Sequence, residues 1–189
     1  RLMHGGIYMN YSFDTIEKIV LENGYDKNLS SILISFYKYI YNNQWSGACH
    51  AISSVLYVVL VENGYKPEIC IGEVLKDNYI FDHSWIELDG KIIDIAISLT
   101  LDGTYISAPV ILDINIEKKE KSKIKYGVNR KGIEGEAQLV SQCPFSLYMD
   151  MFPYNDKGLW GIVKELLNKE IDIQKMKIKY QDIKRKIYN

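Results

Sequence analysis

The sequence holds only three histidines, three cysteines and four prolines among 189 residues. Cys49, Cys70 and Cys143 are odd in number, widely spaced and without a Cys-x-x-Cys pair. That excludes a disulfide framework and a structural zinc site, and predicts free thiols in a reducing, cytoplasmic compartment. No apolar run is long enough to span a membrane. The longest, AISSVLYVVLV from Ala51 to Val61, is short and carries two serines. The opening RLMHGGIYMN, which contains His4, has no apolar signal region. A formal net charge of −1 argues against a general nucleic-acid binder. The residue spacings call for no metal or cofactor.

At 47% hydrophobic and 25% charged, the composition is that of a globular chain able to build one core. The 15 tyrosines accompany many Ile, Lys and Asn and read as compositional bias. Helical patterning runs over Ser12–Asn23, with Ser12 as N-cap and Gly24 as the C′ glycine. Ser30 or Ser31 opens a second helix, LSSILISFYKYIYNN. After the polar link NNQWSG, the segment ACHAISSVLYVVLVEN reads as a third helix ending at Gly64. It is apolar on nearly every side, as a buried central helix would be. VLENGYDK and LVENGYKP read as the same helix-stop chemistry used twice.

After Pro67 the pattern changes to period two. EICIGEVL, NYIFDHSWIEL and KIIDIAIS predict an antiparallel meander, with further extended structure over Leu101–Ile116 and a charged loop over Lys118–Lys123. Helical signal returns from Glu134 and is interrupted at Pro144 and Pro153. A last helix is predicted over Ile171–Tyr188, with Ile173, Met176, Tyr180, Ile183 and Ile187 as a narrow apolar stripe. Two readings of the stripe stand: a helix lying on its own domain, or the seam of a homodimer. The expectation is one α+β domain over residues 1–189, with its core at about 44–116 and a C-terminal helical part at about 134–189.

The chemistry-bearing stretch is FDHSWIELDGKIIDIA, Phe81–Ala96. Asp89-Gly90 suits a type I′ hairpin turn, which needs positive φ at both central positions. The register then puts Ile86, Leu88, Ile93 and Ile95 on one face. His83, Trp85, Glu87, Ile92, Asp94 and Ala96 share the other. His83 and Asp94 become diagonal neighbours, with Cβ atoms roughly 7–8 Å apart. Trp85 falls opposite Asp94 and would roof the pair. Glu87 is a substrate contact or, as the favoured reading, a solvent-facing strand residue.

Upstream, QWSGACH places Cys49 in the first turn of the central helix, with Ser46 as N-cap. There the helix dipole and free N–H groups stabilise a thiolate. The small residues Gly47 and Ala48 would let a substrate backbone approach. Cys49, His83 and Asp94 thus read as nucleophile, base and orienter. His50 competes with His83. It neighbours Cys49 on a helix, so the two side chains diverge by about 100°, and it lacks an obvious carboxylate orienter. It ranks as a residue supporting the catalytic groups or as a structural one. The Cys49 N–H, with the Gln44 amide or the Trp45 indole, are the oxyanion-hole candidates. Cys70 and Cys143 read as small hydrophobes.

Taken together, Gly47-Ala-Cys49, Asn63-Gly64-Tyr65, His83-Ser-Trp85-Ile-Glu87 and Asp94 resemble the transglutaminase-like branch of the papain-like cysteine superfamily. The resemblance covers about Gln44 to Ser98. Family members often carry a tryptophan before the Asp and a proline after it, where this chain has Lys91-Ile-Ile-Asp94-Ile95. The short loop is closer to compact bacterial members, including leader peptidases that process lasso peptides. Arylamine N-acetyltransferases share the order of residues but not the flanking elements. The resemblance implies a papain-like core and thiol chemistry on a peptide or side-chain amide, as protease, deamidase or transglutaminase, with a peptide or protein substrate. The alternatives are an acyl-CoA-dependent N-acetyltransferase or an inactive binding module on the same fold.

Overall fold

Two hydrophobic periods alternate along the chain, and the observed elements follow that alternation. The computed structural model describes residues 3–98, 106–152 and 157–188, with side chains from residue 13 onward. In chain order the elements are α1 (Met3–Glu22), α2 (Lys27–Asn42), α3 (Cys49–Glu62), β1 (Pro67–Lys76), β2 (Tyr79–Leu88), β3 (Lys91–Asp94), a 3₁₀ turn (Ala96–Ser98), β4 (Val110–Ile111), β5 (Ile114–Asn115), β6 (Glu120–Lys121), β7 (Lys125–Val128), α4 (Gly135–Gln142), α5 (Phe145–Asp150), α6 (Leu159–Leu167), α7 (Ile173–Lys179) and β8 (Lys186–Tyr188). The fold is α+β. Among the described residues, no helix is long and apolar enough to cross a membrane. Packing divides the chain into two units, residues 1–48 with 90–122, and residues 49–89 with 123–189.

In the first unit α1 packs on α2 and on β4. The α1 backbone is helical well before Ser12, so Ser12 is not its cap. No proline stands in residues 3–12 to stop the helix there. Gly24 ends it at φ +83°, with Gly24 N–H donating to Leu21 O at 3.0 Å and Tyr25 N–H to Val20 O at 3.2 Å. The opener of α2 is Asp26 rather than Ser30 or Ser31: its Oδ1 accepts from Leu29 N–H at 3.1 Å. A carboxylate is a strong N-cap, and it captures the start ahead of the serines. Their hydroxyls instead donate back to Lys27 O at 2.8 and 2.9 Å. β3, β4, β5 and β6 pair antiparallel in that order. The expected strand KIIDIAIS is therefore shorter, turning into the 3₁₀ segment after Asp94. Part of the extended structure expected over Leu101–Ile116, and the break expected at Pro153, fall outside the described residues.

In the second unit α3 packs on β1, β2 and α6. It is buried almost all round, from His50 to Leu60. Gly64 stops it at φ +88° with the same pair of bonds as Gly24, to Val61 O at 3.0 Å and, from Tyr65, to Leu60 O at 3.1 Å. The repeated ENGY string is one stop signal used twice. β1 and β2 form an antiparallel hairpin with Lys76 opposite Tyr79, so Gly72 faces His83 and Cys70 faces Trp85. The outer edge of β1 is shared: β7 runs antiparallel against Glu73–Leu75, and β8 runs parallel against Cys70–Gly72.

β8 overturns the expected last helix. α7 starts from an Asp172 cap and stops at Lys179, and residues 186–188 leave as a strand. Met176 and Tyr180 are buried, whereas Ile187 is 43% exposed on the strand. No continuous helical stripe exists to form a homodimer seam. A three-four spacing cannot report that the segment finds an open sheet edge, whose unpaired N–H and C=O groups compete for it.

Candidate active site

The central helix opens on Cys49 itself, so the thiol stands on its first residue. Four N–H groups of an opening turn lack helical partners and carry the positive end of the dipole. Gly47, two residues earlier, takes φ +62°, which a side chain would strain. Ser46 is not the cap, because helical backbone begins three residues after it.

Two imidazoles reach the thiol: His83 from β2 and His50 from the next position of α3 both hydrogen-bond it. Burial alone would push the thiol up. Attraction to His83, hydrogen bonds from both rings and attraction to His50 outweigh burial, and bring Cys49 from 9.0 down to about 5. The sulfur is therefore a thiolate at neutral pH, and it is still partly exposed to solvent. His83 is buried, with the Phe81 ring edge-on at 5.7 Å.

His50 departs from its sequence reading. Adjacent helical side chains diverge, but burial and an orienter turn this ring to the sulfur. The orienter is Ser84, whose Oγ lies 2.7 Å from His50 Nδ1. Ser53 Oγ–H donates to Ser84 O at 2.9 Å, and Ser54 Oγ–H to His50 O at 2.7 Å. The partner of this imidazole is thus a hydroxyl on β2 and not a carboxylate.

Tyr148 on α5 lies within electrostatic reach of Cys49. Burial raises its phenol, the Arg185 guanidinium opposes that, and the nearby thiol adds to it. Arg185 is buried at 7% exposure. It donates to Val140 O at 3.2 Å and Cys143 O at 3.3 Å, at the C-terminal end of α4. A cation there complements the helix dipole. It also lies 5.3 Å from the Phe145 ring centre and 4.9 Å from that of Tyr148. Neither Tyr148 nor Arg185 stands in a sequence motif. Only the folding of residues 135–188 around α3 brings them here.

Trp85 and Glu87 sit on the same strand face as His83 but are spent on structure. Trp85 is fully buried, its ring between Tyr126 at 5.1 Å and Tyr188 at 5.4 Å. Its indole N–H donates to Glu87 Oε1 at 3.2 Å. Glu87 is buried rather than solvent-facing, and it also accepts from Tyr188 Oη at 2.7 Å and Lys186 Nζ at 3.0 Å. Burial would raise its carboxyl, and these donors hold it below the usual range. The sequence reading missed the cause, β8, which covers this face of the hairpin. Two glycines make room for it: a Cβ on Gly72 would stand 2.8 Å from Tyr188 Cβ, and one on Gly127 would collide with Tyr188 Cδ1.

The remaining candidates belong to the first unit. Asp94 is buried at the end of β3, where it pairs with Val110 of β4. The Asp89-Gly90 turn has the expected form, with φ +51° at Asp89 and +75° at Gly90. Gln44 is exposed and left-handed at φ +48°, closing α2 through its N–H to Tyr41 O at 3.2 Å. Trp45 packs edge-on to Tyr39 at 5.9 Å. The second unit thus brings together Cys49, His83 and His50, and adds Ser84, Tyr148 and Arg185.

The chain matches no protein-family model, no curated protein sequence and no solved structure.

Proposed function

We propose that this protein is a cysteine-dependent acyl-transfer enzyme of papain-like, transglutaminase-like type, acting in the cytoplasm on an amide of a peptide or protein. One observation carries the reading: a lowered thiol on the first residue of the central helix, hydrogen-bonded to an imidazole from the neighbouring strand. The Cys49 thiolate attacks the amide carbonyl carbon and forms the carbon–sulfur bond. The tetrahedral oxyanion is met by the Cys49 N–H at the helix start, with Gln44 or Trp45 as the second-donor candidates. His83, protonated in the thiolate–imidazolium pair, gives its proton to the departing amine as the carbon–nitrogen bond breaks. The thioester then passes to water or to an amine. His83 takes the proton from that nucleophile, and the thiolate leaves. Asp94 is the orienter of His83 in this reading, assigned from the hairpin register of the sequence.

A second reading is favoured by the aromatic rings beside the pair, Phe81 on His83 and Tyr148 within electrostatic reach of Cys49. It is a binding module on the same fold that performs no chemistry. The two readings separate in one experiment. The protein is incubated with glutamine-containing and unstructured peptides, with and without a fluorescent primary amine, and acid-quenched for mass analysis. The enzyme reading predicts an acyl adduct on Cys49 that turns over to acid or to amine-linked product and is absent in Cys49→Ser. Peptide binding with no adduct and no product would select the module.

A further inference from the structure

His50 is a buried imidazole with one nitrogen accounted for. Its Nδ1 lies 2.7 Å from Ser84 Oγ, and it is 8% exposed. A buried ring nitrogen needs a partner, and a neutral imidazole carries its proton on one nitrogen only. If Ser84 donates its hydroxyl proton to Nδ1, the ring's proton stands on Nε2. The group that this ring hydrogen-bonds besides Ser84 is the Cys49 sulfur. The geometry is doubly fixed. Ser84 follows His83 on β2, and Ser53 of α3 donates to the Ser84 carbonyl at 2.9 Å. One serine therefore sets where the helix, its histidine and the strand histidine stand relative to one another.

We propose that His50 is a second catalytic histidine, held in its Nε2–H form by Ser84 and donating to the Cys49 sulfur while His83 alone handles the transferred proton. This rests on the reading of Cys49 as the nucleophile. The division of labour follows from position. A donor on the sulfur steadies the thiolate before attack and again when the thioester breaks. It leaves the imidazolium of His83 free to turn to the leaving amine. Among the described residues Tyr148 also lies within electrostatic reach of the sulfur, with Arg185 against its ring. Neither can replace His50: the Tyr148 phenol is held protonated by burial, and Arg185 is engaged with two carbonyls and two rings.

The test is the pH profile of iodoacetamide alkylation at Cys49, read by intact and peptide mass. Wild type is compared with His50→Phe, His50→Gln, Ser84→Ala and His83→Ala, with the thermal melt of each recorded. His50→Phe keeps the ring's bulk and removes its N–H. A hydrogen bond to a charged group is worth enough to move the midpoint up by about one pH unit, about tenfold in rate on the acid limb. His50→Gln returns an N–H at the far end of the side chain and should recover most of that loss. Ser84→Ala should show a smaller rise with the imidazole still present. If His50→Phe overlays wild type while His83→Ala moves, His50 is structural only and the inference falls, with the nucleophile reading intact. If neither moves, both fall. Should His50→Phe fail to fold, Ser84→Ala decides, and an unmoved midpoint there overturns the proposal.

Discussion

The start of α3 and the middle of β1 each hold a cysteine, and the two thiols are kept in opposite states. Cys49 faces two imidazoles on an opening helical turn and is lowered to about 5. Cys70 is fully buried in β1, and burial, the Glu87 carboxylate and Glu68 push its thiol up, with Lys186 opposing. Both lie in the same packing unit. What separates them is which charges face the sulfur and whether water can reach it. A cysteine becomes a nucleophile through its neighbours. The aromatic stack of Trp85, Tyr126 and Tyr188 lies on the hairpin beside Cys70, which pairs with Trp85.

The largest expected effect is the difference itself. With a limiting alkylating agent at pH 6.5, Cys49 should react at least about a thousandfold faster than Cys70, from thiolate fraction and access together. Peptide-resolved mass spectrometry reads this directly, and comparable rates would erase the comparison. Next comes the stack. Trp85→Ala removes a fully buried ring and should cost about 3–5 kcal/mol in urea denaturation, while opening Cys70 to label under native conditions.

The helix start at Cys49, the strand position of His83 and the Asp89-Gly90 turn were legible because each rests on local rules: a helix start, strand alternation and positive φ. The two glycine stops and the buried central helix were legible for the same reason. The solvent-facing reading of Glu87, the partner of His50 and the last helix were out of reach because their settings come from other parts of the chain. Glu87 is buried by Lys186 and Tyr188, and Ser84 turns His50 across from another element. The Ile173–Ile187 spacing is helical in pattern, yet β1 offers its edge and Gly72 and Gly127 offer the space, so the segment becomes a strand. A period reports a local preference and not the partner that overrides it.

A smaller effect sharpens the Cys70 side. The Glu87 carboxyl is lowered in the folded protein by Tyr188, Lys186 and Trp85, against burial. Its contribution to stability is complete above the ordinary carboxyl value and is lost as pH falls through the lowered one, because the unfolded chain binds the proton first. Stability measured by urea between pH 2 and 6 should therefore rise with pH in wild type and rise less steeply in Glu87→Gln. Parallel curves would show that the carboxylate does not matter there. In Glu87→Gln the Cys70 thiol also loses a raising charge and should titrate lower in the native state. The smallest effect is a control remote from both thiols. Asp26→Ala removes the α2 cap and should cost about 1 kcal/mol, with the alkylation profiles of Cys49 and Cys70 unchanged.

The most direct test of the central claim is the pH dependence of Cys49 alkylation by iodoacetamide in wild type and in His83→Ala, followed by mass. The account predicts fast alkylation with an apparent midpoint near 5 in wild type, and a clear upward move of that midpoint in the variant. A Cys49 that titrates as an ordinary thiol in both proteins would contradict it, and the thiolate–imidazolium pair would not exist.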